Sequence, residues 1–437
     1  MTIDELKTKK ISAISLGCDK NRVDLEHMLG ALSDFGFQIV ADIYSAEIII
    51  VNTCAFISSA VEEAIQNILL ATKLKKDKCE KVIVTGCLNE RYLDDVKKEF
   101  PEVDAFVRIK DNDQILKVLF DLYSIPHKER FKNQGRTLTT PFNYAYLKIA
   151  DGCNNGCAYC TIPRIRGRYK SIPIDDLVKE AKMLASKGVK ELIIVAQDVS
   201  RYGEDLYGQV MLIPLLEKLS KIREIKWIRL HYLYPEMITD ELLDFLYEND
   251  KICKYLDIPL QHIDDDILRD MNRRTGETQT RELIQKIKEK YPKFALRTTY
   301  IIGFPGETKR QFEKLEDFIQ KFPMPNVGFF PYYREDKTKA YYMKQVPNFK
   351  KKIRLKKIYA IQKNVSDNLN KNRIGEVVEA VVDYYDENNK CFILRDEYSS
   401  PQVDFIIEVY RDDLELGKFY NIKLTDYNQD KFKGEIV

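Results

Sequence analysis

The amino-acid sequence predicts an α/β protein in three parts: an open parallel α/β sheet domain, a partial (β/α)6 barrel and a small all-β barrel. Three observations carry this. Strand-like and helix-like segments alternate through the first 125 residues, six further strand-and-helix repeats run from Tyr144 to Tyr332, and short β-rich runs take over after about Asn370. Alternation of the two element types is the pattern of a parallel sheet covered by helices. Six repeats fall short of the eight that close a barrel, so the central sheet is expected to stay open.

In the first part, the expected strands Ile11–Leu16, Ile48–Val51 and Val82–Thr85 each precede a helical pattern, over Arg22–Phe35, Phe56–Leu70 and Glu90–Phe100. Residues 126–140, rich in Pro, Gly, Lys, Arg and Thr with little apolar periodicity, read as a linker. The second series has expected strands at Tyr144–Ile149, Glu191–Ala196, Ile228–Tyr232, Tyr255–Pro259, Leu296–Ile302 and Val327–Tyr332. The last part has β runs at Glu376–Tyr384, Lys390–Leu394, Asp404–Val409 and Lys418–Leu424. The division expected is therefore 1–125, 126–140 (the linker), 141–368 and 369–437.

With 437 residues, 44% hydrophobic and 32% charged, the chain has the composition of a globular protein of two to three domains. No apolar run approaches the roughly 20 residues of a membrane-spanning helix, and Met1–Lys10 lacks the apolar core of a signal peptide. A cytoplasmic location with no membrane partner is expected. In that reducing compartment nine cysteines are not a disulfide framework, so some should be ligands.

The strongest signal is Cys153, Cys157 and Cys160, a C-x3-C-x2-C run directly after an expected strand. Three thiolates within eight residues suit three corners of a 4Fe-4S cluster and leave one iron open to another ligand. Gly152 and Gly156 would let the loop wrap closely. Zinc is the alternative, although it prefers paired C-x2-C elements and a fourth ligand nearby. Upstream, Cys18, Cys54 and Cys87 each fall just past the end of an expected strand. The carboxyl ends of parallel strands line one edge, so these three could converge; singly, each could equally be a small buried hydrophobe. Cys79 in a Lys-rich loop, Cys253 at a helix end before a strand and Cys391 in a β run are read as incidental.

With both trios, the chain resembles the radical S-adenosylmethionine methylthiotransferases along nearly its whole length, with an N-terminal cluster domain, a radical domain and a C-terminal TRAM module. Three passages resemble the branch that modifies an aspartate of ribosomal protein S12: Ser15–Asn21 with Asp24 and Glu26 after it, Tyr255–His262 and Gly303–Glu307. The resemblance implies two 4Fe-4S clusters, held by Cys18, Cys54 and Cys87 and by Cys153, Cys157 and Cys160, with S-adenosyl-L-methionine as cofactor. It implies cofactor cleavage to a radical that takes hydrogen from the aspartate β-carbon, with the first cluster carrying sulfur. It also implies an electron donor such as a flavodoxin or ferredoxin, and S12 as substrate, free or within the small ribosomal subunit. No residue is singled out as a catalytic acid or base, because the cofactors carry the chemistry.

Charge bears on the substrate. The whole chain has a formal net charge of +2, but Lys371–Val437 holds 9 Lys and Arg against 15 Asp and Glu, a net of −6. A module that tracks phosphates should be basic; this one favours a basic protein over tRNA. Its acids Asp383, Asp386, Glu387, Asp412, Asp413 and Glu415 are expected in loops. A tRNA methylthiotransferase is the alternative within the family, and a non-catalytic metal-stabilised binding protein is the alternative of another class. Gln197 with Asp198, Gln261 with His262, and Gly303 stand at strand ends where barrel enzymes bind ligands and are candidates for the cofactor. The basic run Arg164–Lys170 is a candidate for cofactor, substrate or ribosomal RNA. Phe329, Phe330, Tyr332 and Tyr333 are expected to pack.

Overall fold

The structure, a computed structural model, describes residues 2–127 and 135–437 and divides into two compact units. The first comprises Met1–Thr139 with Asp151–Asn154 and Thr161–Tyr169; the second comprises the rest. Part of the expected linker, 128–134, lies outside the described residues.

The first unit is a five-stranded parallel sheet. Its strands are β1 (Lys10–Ser15), β2 (Gln38–Ile39), β3 (Ile48–Thr53), β4 (Lys81–Gly86) and β5 (Ala105–Phe106), in the order β2-β1-β3-β4-β5. Strands covered on both faces are apolar at every position rather than alternately. Here Ile49, Val51, Val82 and Val84 enter one core, and Ile48, Ile50 and Ile83 the other. Helix Ser58–Lys73 covers the first face with Ala64, Ile68 and Ala71, and helix Asp19–Phe35 the second with Leu25, Met28, Leu29 and Leu32. The two-residue edge strands β2 and β5 were not expected from the sequence. The described end of the linker is packed: Arg136 is 1% exposed and donates to Glu26 from Nε at 2.9 Å and from Nη2 at 2.5 Å, while Thr139 donates to the same carboxylate from N and Oγ1, each at 2.8 Å.

The second unit holds a sheet of six parallel strands, Tyr144–Lys148, Glu191–Val195, Trp227–Leu230, Ile252–Asp257, Ala295–Ile302 and Asn326–Pro331, side by side in chain order. All six expected strands are present and the sheet is open. Cys253, expected at a helix end, lies inside the fourth strand and is buried. Helix Asn348–Lys371 follows the last strand. Strands Val377–Asp386, Cys391–Asp396, Ile406–Val409, Phe419–Asn428 and Lys431–Ile436 then close a five-stranded barrel. Lys431–Ile436 is the strand the sequence did not reveal.

This barrel docks at the amino-terminal ends of the six strands. Glu191, the first residue of its strand, accepts from Arg395 at 2.6 Å and from Arg229 at 2.7 Å, all three fully buried. Arg395 also pairs with Asp383 at 3.0 Å, and Asn143 donates to Asp383 at 2.7 Å. Asp383, expected in a loop, is therefore a buried strand residue; a bulge between Val382 and Tyr384 breaks the pairing at this position. Trp227 meets Phe419 edge to face at 4.8 Å. The carboxyl ends of the strands are left to the polar residues described next.

Candidate metal and cofactor site

Cys18, Cys54 and Cys87 follow the carboxyl ends of β1, β3 and β4, three adjacent strands. Ser15 is in register with Asn52, and Asn52 with Thr85, so the three turns leave the sheet side by side. Gly17, at φ +86°, presses on the next turn: a side chain there would lie 2.6 Å from Cys54 Cβ and 2.8 Å from its Sγ. Gly86, at φ +93°, repeats the arrangement, because a Cβ would meet Thr53 O at 2.3 Å. Only glycine tolerates both the conformation and the contact.

Side-chain amides and hydroxyls lace the turns together. Asn21 Nδ2 donates to Leu16 O at 2.7 Å and Thr53 O at 3.2 Å, and Asn52 Nδ2 to Asn21 O at 2.7 Å. Thr53 Oγ1 donates to Thr85 O at 2.5 Å, and Asn89 Nδ2 to Val84 O at 2.7 Å. Cys18 is exposed while Cys54 and Cys87 are buried, so the trio opens to solvent on one side. Burial pushes the Cys87 thiol up to about 12, opposed by the Arg166 charge and reinforced by Cys18 and Cys54, which lie within electrostatic reach. Burial likewise raises the Cys54 thiol.

Arg166 is the residue here whose role sequence reasoning missed, although it lies in the basic run after Cys160. Its side chain is 2% exposed and forms ion pairs with Asp24 and, at 3.1 Å, with Asp151. It donates from Nη2 to Asn21 Oδ1 at 3.0 Å and approaches Cys87 Sγ at 3.7 Å. Asp24 and Glu26 of the sequence motif thus have separate partners, Arg166 and Arg136.

The loop of Cys153, Cys157 and Cys160 is divided between the units. In the first, Cys153 N donates to Gly167 O at 3.2 Å, and Tyr169 N to Asn154 Oδ1 at 3.1 Å. In the second, Met271–Asn272–Arg273 clasps the loop, a segment the sequence analysis had not singled out. Ala158 N donates to Met271 O at 2.9 Å, Asn272 Nδ2 to Gly156 O at 2.9 Å, and Arg273 Nη1 lies 3.9 Å from Cys157 Sγ. Asn155 Nδ2 donates to Asp198 Oδ2 at 2.8 Å. Tyr159 packs edge-on against Phe304, and burial holds its phenol protonated well past the ordinary range.

Gln197, Gln261 and Gly303 all follow carboxyl ends of strands in this one sheet. Gln197 is half-buried beside buried Asp198; burial raises the Asp198 carboxyl despite hydrogen bonds from Ser200 and Asn155. Gln261, at φ +69°, bridges to Tyr300 through its backbone. Gly303, at φ +74°, donates its amide to Glu307 Oε2 at 2.9 Å, and Glu307 is paired with Arg354. His262 is fully buried, with Nε2 3.6 Å from the same Glu307 carboxylate. Cys79, Cys253 and Cys391 are buried, Cys79 in the same core as Cys54 and Cys87.

Soft thiolate donors in threes suit iron-sulfur clusters, and two buried thiols beside a guanidinium fit a group carrying negative charge. Among the described residues no group of three His, Cys, Asp or Glu is gathered closely enough for a single metal ion. No described helix is long and apolar enough to cross a membrane.

Comparison with known proteins follows the same divisions. Residues 10–108 match an uncharacterized protein family, UPF0004, residues 147–319 the radical SAM superfamily, and residues 374–437 the TRAM domain. The ribosomal protein uS12 methylthiotransferase RimO of Acetivibrio thermocellus is 42% identical over 98% of both chains. Its namesake in Thermoanaerobacter sp. is 41% identical over 98% of this chain and all of the relative, and that of Clostridioides difficile 40% over 98% and 99%. In fold, the chain is similar to the radical S-adenosylmethionine methyltransferase TsrM of Kitasatospora setae, with a TM-score of 0.54 at 14% identity over 74% of this chain and 73% of that one.

Proposed function

The chain belongs to the radical SAM methylthiotransferases of ribosomal protein uS12, and on that premise we propose how its residues divide the work. It is an S-adenosylmethionine-binding iron-sulfur enzyme. Cys18, Cys54 and Cys87 hold one 4Fe-4S cluster, and Cys153, Cys157 and Cys160 hold a second. When bound, these groups supply the electron that opens the cofactor's sulfonium and the sulfur that is passed on.

The chain's own residues bind and orient. Arg166 places a buried positive charge beside Cys87, favouring the thiolate over the thiol and fixing the turn after β4. Asn272 and Asn155 set the path of the cysteine loop, and Arg273 brings a guanidinium to 3.9 Å from Cys157 Sγ. Tyr159 and Phe304 exclude water from its inner side. Gln197, Gln261 and Gly303 line the strand ends where S-adenosylmethionine binds; Gly303 contributes its missing side chain, since its amide is committed to Glu307.

The target is the β-carbon of a uS12 aspartate, with a flavodoxin or ferredoxin as electron donor. Among the exposed acids of the terminal barrel, Glu387 and Asp412 present negative charge to a basic substrate, whereas Asp413 pairs with Arg411 at 2.7 Å, Glu415 pairs with Lys418, and Asp383 is spent internally on Arg395. The observation that carries the reading is the placement of three cysteines at the ends of three adjacent parallel strands, in a chain that also has the eight-residue cysteine loop. Reconstituted enzyme incubated with S-adenosylmethionine, reductant and uS12 should add one methylthio mass to a single aspartate by mass spectrometry. Unchanged uS12 beside methylthiolated tRNA would overturn the substrate.

A further inference from the structure

From Lys337 to Ser366 the chain has ten Lys and Arg and no acid in thirty residues. Four of the ten are spent within the fold. Lys351 donates to Tyr332 O at 2.7 Å, Arg354 pairs with Glu307, Lys357 reaches Glu316 at 2.6 Å, and Lys363 lies 3.5 Å from Asp367. The other six, Lys337, Lys339, Lys344, Lys350, Lys352 and Lys356, are exposed, and among the described residues none forms an ion pair. Like charges gathered without acids repel one another, so folding alone gives no reason to concentrate them.

Helix Asn348–Lys371 sorts its residues by face. Lys351, Ile358, Gln362 and Ser366 recur at helical spacing and are buried. Phe349, Lys352, Ile353 and Lys356, at i, i+3, i+4 and i+7, are all exposed. Phe349 and Ile353 are 61% and 64% exposed, and Tyr342, just before the helix, is 78% exposed. Phe330 of the edge strand, expected to pack, is instead 53% exposed. Large apolar side chains interleaved with free cations make a surface that attracts phosphate and offers rings to unstacked bases. Such a face repels a basic protein, and its sign is opposite to that of the terminal barrel.

We propose that this exposed face of helix Asn348–Lys371 binds the sugar-phosphate backbone of RNA. Lys352 and Lys356 contact phosphates, and Phe349 and Tyr342 contact bases. The proposal rests on the uS12 reading for its biological RNA: a substrate protein that lives in the small ribosomal subunit comes with ribosomal RNA around it. Two surfaces of opposite charge then divide the encounter, the acidic barrel taking the protein and the basic helix the RNA.

The test uses the full reconstituted chain and its Lys352→Ala/Lys356→Ala variant. Alanine keeps the helix intact. Binding is measured against a fluorescent single-stranded RNA of about 20 nucleotides and against small ribosomal subunits, across a salt series. Turnover is measured on subunits and on isolated, RNA-free uS12. The variant should lose about tenfold in RNA and subunit affinity at low salt, and its logarithmic salt slope should fall by about 1.4, the share of two phosphate contacts on a single strand. Turnover on isolated uS12 should be unchanged. Equal affinities and slopes would overturn the proposal, as would an equal loss of turnover on isolated uS12, which would give the face to protein. If the wild type modifies uS12 in neither form while the variant still loses RNA affinity, the RNA face stands and the uS12 reading falls.

Discussion

The two cysteine trios, proposed to hold one cluster each, are assembled by opposite routes. Cys153, Cys157 and Cys160 lie within eight residues of chain, whereas Cys18, Cys54 and Cys87 span about seventy residues and stand past the ends of three adjacent strands, β1, β3 and β4. A locally built site needs a loop that can turn. A site built by the fold needs close approach of three separate turns, and this chain supplies it with Gly17, Gly86 and the amides of Asn21, Asn52 and Asn89. The second kind should therefore be far more sensitive to changes that touch no ligand.

The largest effect separates the trios outright. Cys54→Ala should remove about half the iron and abolish methylthio transfer while cleavage of S-adenosylmethionine persists, checked by iron analysis and by 5'-deoxyadenosine formation. Next, Arg166→Met leaves the Asp24 and Asp151 carboxylates without their cation and should cost about 3–5 kcal/mol in denaturant unfolding. In a background lacking the loop cysteines it should also lower the reduction potential of the remaining cluster, because a positive charge beside Cys87 has gone; an unmoved potential would make Arg166 purely structural.

The glycines sharpen the contrast. Gly86→Ala combines strained backbone with overlap on Thr53 O and should cost about 3 kcal/mol and the iron of its trio. Gly156→Ala meets nothing closer than Asn272 Nδ2 at 3.5 Å and should cost about 1 kcal/mol, from strain alone. Similar costs at the two positions would break the comparison.

The smallest effect is a pH dependence seated at the amino-terminal ends of the central strands. Burial alone would raise the Glu191 carboxyl, but the charges of Arg395 and Arg229 win and hold it below the ordinary glutamate range. A depressed folded value means its stabilising contribution is complete above the unfolded value of about 4.3 and is lost as pH falls through the folded one. Thermal unfolding should thus be flat in this respect between pH 7 and 5 and weaken below. Glu191→Gln should remove that acid-side dependence while lowering stability throughout, by leaving buried Arg229 without a carboxylate and Arg395 with Asp383 alone.

What the sequence made legible follows from the same distinction. Strand patterns are local, so all six central strands, and the position of Cys18, Cys54 and Cys87 just past strand ends, could be read from the chain. Two-residue edge strands such as Gln38–Ile39 carry no periodicity and could not. Arg166 was visible as one member of a basic run, but its partners at Asp24, Asn21 and Cys87 lie 79 to 145 residues away in sequence and only folding selects it from its neighbours. Asp383 lay within the expected β run Glu376–Tyr384 yet was expected in a loop as a charge; its carboxylate is buried instead because Arg395 and Asn143, distant in sequence, pair with it. The basic helix was hidden by averaging: net charge over the rest of the chain blends it with acidic neighbours.

The most direct test of the account is iron, sulfide and Mössbauer analysis of anaerobic protein beside two triple variants, one with Cys18, Cys54 and Cys87 changed to Ala and the other with Cys153, Cys157 and Cys160 changed to Ala. The account predicts about eight irons in the wild type, about four in each variant, and cofactor cleavage only where the loop cysteines remain. A wild type with a single cluster, or one variant losing all its iron while folded, would contradict it.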